Sequence, residues 1–265
     1  MRKIIISVAP IARDKMNIRA GEVAEDVIGC IKNGATMMHL HPFTADHQFD
    51  PEGVLFNEIV ERIKEQDDII VQASTGAVNV PIEERYKILD NPYVQSCSFN
   101  SGTFNVGDNS YMVNTINDLR RLRDLTVEKG IHCDFSLFEL GMIEAMRALD
   151  EEKPFLQPAI HSLVFGFDWH MPATREYLTA ALSVLPEKTL FAVTPDRRKD
   201  FSMIAAAICL GAGVVRIGME DSAALSPGKF AKSNAELVKR TAEIIRMCGC
   251  EPATLEEAKN ILNIR

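Results

Sequence analysis

Two histidines stand one residue apart in Met37-Met38-His39-Leu40-His41, and far along the chain Arg216 is followed four and five residues later by Glu220 and Asp221. Side chains two apart on an extended strand project to the same side, so His39 and His41 can grip one divalent ion or, alternatively, form a hydrogen-bonded pair inside the protein. Glu220 offers a third donor. Two imidazoles and one carboxylate leave coordination positions open, the pattern of a catalytic metal site, and suit a borderline ion such as zinc better than a hard one. Arg216 and Asp221 can pair so that the carboxylate stays ionised and oriented, fit to take a proton that a metal has acidified; without the neighbouring ligands they would read as an ordinary structural ion pair. Ser74, Thr75, Asn100 and Thr103 supply neutral donors suited to a carboxylate, although each alone is also a common turn residue.

These groups meet only if the chain brings distant segments to one rim. Short β-branched runs at 3–9, 36–40, 69–73, 96–100, 132–135, 162–165, 189–193 and 214–217 read as strands. Between them, helical periodicity predicts helices over 21–32, 51–66, 82–89, 111–129, 140–149, 175–185, 201–210 and 234–248. No linker or break in composition interrupts the alternation, so the expectation is one domain over residues 1–265, an α/β (β/α)₈ TIM barrel. A doubly wound open sheet shares the same alternation. In a closed barrel the eighth strand neighbours the first and the first the second, which leaves Glu220 and the histidine pair roughly 10 Å apart in strand spacing, over strand one. His39-Leu40-His41, Ser74-Thr75, Asn100 to Thr103 and Arg216 to Asp221 all fall at strand ends, where such barrels place their chemistry.

Composition narrows the partners. With 29 Lys and Arg against 37 Asp and Glu, the net charge of −8 provides no general attraction for nucleic acid or an anionic membrane surface. The apolar run in Met1 to Pro10 is too short for a signal peptide and reads as a first buried strand, and no stretch approaches the ~20 apolar residues of a membrane span. Six cysteines without paired CxxC spacing point to reduced core thiols and a cytoplasmic protein, with Cys248 and Cys250 lacking the second pair a metal site needs. Arg197-Arg198-Lys199 is either a solvated loop or a phosphate grip, His161 and His170 read as structural or substrate-lining, and Met37 and Met38 read as core. Gly211-Ala212-Gly213 precedes a strand and so reads as tight packing rather than a phosphate loop.

At these residues the sequence resembles the β-keto acid cleavage enzymes, the family typified by 3-keto-5-aminohexanoate cleavage enzyme of lysine fermentation. The resemblance runs through NGATMMHLH, QASTGA, SFNSGTFN, FELGM, CLGAGVVRIGMED and ATLEEAKNIL. It implies a (β/α)₈ barrel, a homotetramer, a zinc ion, and acetyl-CoA as co-substrate in a reaction that converts a β-keto acid to a new acyl-CoA and releases acetoacetate. Carried onto matching positions, it makes His39, His41 and Glu220 the zinc ligands, Arg216 and Asp221 the proton-abstracting dyad, and Ser74 and Thr103 the carboxylate grip. Asp14 falls where the aminohexanoate enzyme has a glutamate that reads the substrate's ammonium group, but is one methylene shorter. Two segments depart from the pattern: Pro42-Phe43-Thr44 follows the histidines, and Thr194-Pro195-Asp196-Arg197-Arg198 replaces a Gly-rich stretch. A barrel hydrolase of the amidohydrolase type carries His-x-His after its first strand rather than its second, and a barrel that binds metal or acyl-CoA without turnover would not need the Arg216 and Asp221 pair.

Overall fold

The computed structural model describes residues 1–264. Eight strands, β1 (Lys3–Val8), β2 (Met37–Leu40), β3 (Ile70–Ala73), β4 (Ser96–Asn100), β5 (His132–Leu137), β6 (Ile160–Phe165), β7 (Phe191–Pro195) and β8 (Val214–Ile217), each pair in parallel with the next. Pairing of β8 with β1, with Ile5 opposite Val214 and Ser7 opposite Arg216, closes the ring and excludes an open sheet. Helices α1 (Ala20–Lys32), α2 (Val54–Lys64), α3 (Ile82–Arg85), α4 (Ile116–Lys129), α5 (Leu140–Glu152), α6 (Arg175–Val184), α7 (Ser202–Cys209) and α8 (Asn234–Met247) each follow the strand of the same number. The architecture is a (β/α)₈ TIM barrel.

Strand periodicity sorts the barrel into layers. At the N-terminal end Ile5, Met37, Ile70, Ile160, Ala192 and Val214 pack together with Ala253, Ala258 and Leu262 in one apolar cluster. Two residues further along, the positions of the same parity turn polar: Ser7, His39, Gln72, Ser162, Thr194 and Arg216. Residues of opposite parity, including Ile4, Ile6, Met38, Val71 and Val215, belong to the larger core beneath the helices. Both methionines beside the histidines are therefore core, one in each cluster.

Three of the differences between the structure and the periodicity reading concern helices. A ninth helix, α9 (Leu255–Leu262), follows a Thr254–Glu257 capping box and lays Ala258 and Leu262 in the apolar layer that closes the barrel floor. The helix expected over 111–129 starts at Ile116, where Thr115 and Asp118 form a capping box, while Ser110–Met112 pairs with Phe104–Val106 as a hairpin above the barrel. The helix expected over 82–89 divides into α3 and a 3₁₀ turn at Lys87–Asp90. Buried Arg85 donates there to the Thr75 and Val113 carbonyls and to Asn114 Oδ1, tying the β3 and β4 loops together. Before β8, a Cβ on Gly213 would meet Leu190 Cδ1 at 2.5 Å, so the glycine serves close packing.

Candidate active site

His39, at the third position of β2, is buried, and its Nδ1 lies 2.7 Å from Gln72 Oε1 on β3. The amide nitrogen of Gln72 donates to Asp134 Oδ2 at 3.1 Å and Ser96 Oγ at 3.3 Å, so its oxygen must accept from His39. Nδ1 then carries the proton and Nε2 has a free lone pair, the tautomer a metal ligand requires. Burial, with the Arg216 charge adding to it, pulls the His39 pKa down to about 3, so the ring is neutral across the physiological range. His41 follows directly after β2, and its Nε2 stands 3.4 Å from Glu220 Oε1. That separation is long for a charge-assisted hydrogen bond but equals the edge of a tetrahedron with bonds of roughly 2.1 Å. Donor atoms of His39, His41 and Glu220 all lie within 4.8 Å of one another, a spacing and a donor chemistry that fit one divalent ion.

Arg216 stands between the two carboxylates. Its Nε and Nη2 each donate to Asp221 at 3.0 Å, a bidentate pair, and Nη2 also donates to Glu220 Oε1 at 2.6 Å. Burial works against the guanidinium charge, but Asp221 and Glu220 outweigh it and hold its pKa above the ordinary arginine value. Burial would likewise raise the Glu220 pKa, yet Arg216 and the two imidazoles hold it well below the usual carboxylate range. Both carboxylates are aimed by the turn after β8. Gly218, at φ +154°, lies so close to the end of β1 that a Cβ would fall 2.0 Å from the Ala9 carbonyl oxygen. Asn234 at the start of α8 accepts from the Met219 amide at 2.8 Å and donates to the Pro10 carbonyl at 2.9 Å, locking this turn over β1.

The cavity above these residues has a volume of about 310 Å³. Ser74 and Asn100 are in its wall, as are the metal-type group, Arg216 and Asp221. The Asn100 Nδ2 is buried without a partner, and Gly76 leaves it room, since a Cβ there would sit 3.2 Å away. Thr75 lies beneath the wall, donating to the Ser98 carbonyl at 2.6 Å, and Thr103 is exposed outside it, accepting from the Asn114 amide at 3.0 Å. Asp14 is exposed in the loop after β1 and takes no part in the cavity wall. His161 packs on Phe135, and His170 bridges Glu139 and the Asn105 carbonyl. Phe43 stacks on His41 with ring centres 4.9 Å apart and forms part of the apolar mouth.

Among the wall residues not singled out by sequence, Gln72, Arg13 and Asp196 shape the site most directly. Gln72 has a recognisable signal, a polar residue in register with His39 on an otherwise apolar strand. Arg13 and Asp196 become a pair only in three dimensions, with Arg13 Nη2 2.9 Å from Asp196 Oδ1 and 3.8 Å from Asp221 Oδ1. Of the basic run, Arg197 pairs with Asp168, while Arg198 turns to the Ser222 and Ala224 carbonyls, so neither faces the cavity.

Fold and site together define a barrel enzyme with a metal-type donor group and an Arg216–Asp221 ion pair at the C-terminal rim. The chain belongs to the β-keto acid cleavage enzyme family, whose model matches residues 3–264. It is similar to the 3-keto-5-aminohexanoate cleavage enzymes of Fusobacterium nucleatum, 32% identical over 92% of this chain and 89% of that protein, and of Acetoanaerobium sticklandii, 31% identical over the same shares. It is 24% identical to the 3-dehydrocarnitine:acetyl-CoA trimethylamine transferase of Rhizobium meliloti, over 92% of this chain and 88% of that one. Among solved structures, ObcA in complex with a C4-CoA adduct and oxalate superposes with a TM-score of 0.76 at 15% identity, covering 94% of this chain and 67% of ObcA. The apo ObcA structure gives the same TM-score, with this chain spanning 65% of its length.

Proposed function

We propose that the protein is a zinc-dependent acyltransferase that condenses a β-keto acid with acetyl-CoA and releases acetoacetate and a new acyl-CoA. The observation that supports it is the placement of a bidentate Arg216–Asp221 pair beside the His39, His41 and Glu220 donor group in one cavity. Bound by those three residues, zinc would polarise the keto carbonyl and acidify the carbon next to it. Asp221 takes the proton from that carbon. Arg216 fixes the direction of the Asp221 carboxylate, and Ser74 and Asn100 donate to the substrate carboxylate. The carbanion attacks the acetyl thioester and expels the coenzyme A thiolate, the thiolate attacks the former keto carbon, and the bond between that carbon and the α-carbon breaks as the α-carbon takes back the proton held by Asp221. The apolar mouth around Phe43 and Phe167 limits water access while the thioester is exposed.

The reading extends to one catalytic domain over the chain, a homotetramer and a cytoplasmic location. All six cysteines are free, which suits a reducing compartment, and among the described residues no helix is long and apolar enough to cross a membrane. Incubating zinc-loaded protein with acetyl-CoA and a panel of β-keto acids should release acetoacetate, scored by mass; no release with any of them would overturn the reaction.

The donor group carries two further expectations. Wild type should hold about one divalent ion per chain and His39→Ala far less by elemental analysis, and equal contents would remove His39 from the ligand set. Gln72→Leu keeps the strand but leaves the His39 Nδ1 proton without its acceptor. Its metal affinity should fall about 10- to 100-fold in a buffered zinc titration. Unchanged affinity would mean the ring is oriented without Gln72.

A further inference from the structure

Among the described residues, Arg13 and Arg216 are the two arginines of the cavity wall, and no lysine joins them. Arg216 is only 14% exposed and is engaged by Glu220 and Asp221. Arg13 is different: its side chain is 45% exposed, reaches Asp196 through Nη2, and lies over the Phe167 ring with the guanidinium carbon 5.5 Å from the centroid. Nε and Nη1 point to different sides of the guanidinium plane and have no partner among the described residues, so each can donate a charge-assisted hydrogen bond to a carboxylate oxygen while Nη2 stays on Asp196. The acids of the wall offer a cation nothing comparable. Glu220, Asp221 and Asp196 each already face an arginine, and Asp134 sits deep on β5, where it accepts from Gln72. A substrate ammonium would have to displace an arginine, whereas a substrate carboxylate finds unused N–H groups.

Position agrees with charge. Ser74 and Asn100 follow β3 and end β4, while Arg13 follows β1 and is held by Asp196 just after β7, across the ring. A keto acid whose carboxylate lies at Ser74 and Asn100, with its keto carbon beside His39, His41 and Glu220, extends its other end toward Arg13 past Ile11 and Phe167. Resting on the acyl-transfer reading above, we propose that the substrate is a β-keto dicarboxylate, with Arg13 donating to its distal carboxylate and Asp196 holding the guanidinium in place. Asp14, which the family resemblance casts as an ammonium reader, has no role in this selection.

The test compares inert and reactive acids of equal length. In calorimetry on the zinc-loaded protein, adipate should bind about tenfold or more tightly than hexanoate. Arg13→Gln should bring that ratio close to one, and Arg13→Lys should restore part of it. The ratio of kcat/KM for 3-oxoadipate over 3-oxohexanoate should change in parallel. No preference for adipate in wild type, including no binding of either acid, overturns the proposal. So does an Arg13→Gln variant that keeps the dicarboxylate preference while its KM for acetyl-CoA rises, which would assign Arg13 to the coenzyme A phosphates. Adipate preference lost in Arg13→Gln, in a protein that transfers no acyl group to any keto acid, would instead keep the carboxylate site and sink the acyl-transfer reading.

Discussion

Asp221→Asn is expected to lower kcat by roughly two to four orders of magnitude, the usual contribution of a positioned general base. The substitution keeps the side chain's volume and one acceptor for Arg216, which also holds Glu220. None of the three metal-type donors is altered. Metal content by elemental analysis should therefore match wild type, and the loss should appear in turnover rather than in acetyl-CoA binding. Near-normal kcat would place the base elsewhere in the wall, with Asp196, whose pKa burial raises against the pull of Arg13, as the next acid to test. Arg216→Lys would be a less clean probe, because one guanidinium serves both carboxylates and a lysine cannot reproduce the fork.

The parts of this protein legible in sequence are those set by local pattern. All eight barrel strands follow from β-branched runs between helical segments, since a strand buried on both faces reads as an apolar run whatever its partners. His39 and His41 share a side because the period of a strand is two, and Glu220 reaches them because closure makes β8 and β2 both neighbours of β1. The floor helix α9 is harder to read: its apolar residues face the barrel's end rather than a flank, so it falls outside the alternation that reveals the others. The hairpin at Phe104–Met112 is built from three-residue strands around Gly107, too short for a period to show. Arg13 and Asp196 lie 183 positions apart in the chain, and only the juxtaposition of β1 and β7 beside β8 makes them a pair. Sequence thus exposes the groups proposed to react, which need particular residue types at fixed spacing. It conceals the groups proposed to select the substrate, whose meaning depends on what lies across the ring.

The largest structural effect is expected at Gly218. A Cβ there would lie 2.0 Å from the Ala9 carbonyl oxygen, 2.6 Å from its carbonyl carbon and 2.8 Å from its nitrogen. All three are backbone atoms of the segment leaving β1, so no rotamer change relieves the contact. They also belong to the barrel seam, where the Ala9 amide donates to the Ile217 carbonyl at 2.9 Å and the Glu220 amide to the Ala9 carbonyl at 3.3 Å. Gly218→Ala must push β8 and β1 apart at the rim or swing the turn outward, and the φ of +154° adds strain for any side chain. A loss of about 3 kcal/mol or more is expected, at the upper end of single substitutions, because overpacking and backbone strain act together. Either movement carries Glu220 away from His41, so the metal content of whatever folds should fall as well. Gly228→Ala is the matched control: it too has positive φ, but nothing lies within 4 Å of its Cβ, so it should cost only roughly 1–2 kcal/mol of conformational strain. Urea midpoints of the two variants against wild type decide the matter. A Gly218→Ala midpoint no lower than that of Gly228→Ala would show that the seam yields easily and that the close approach of β8 to β1 is not what positions Glu220.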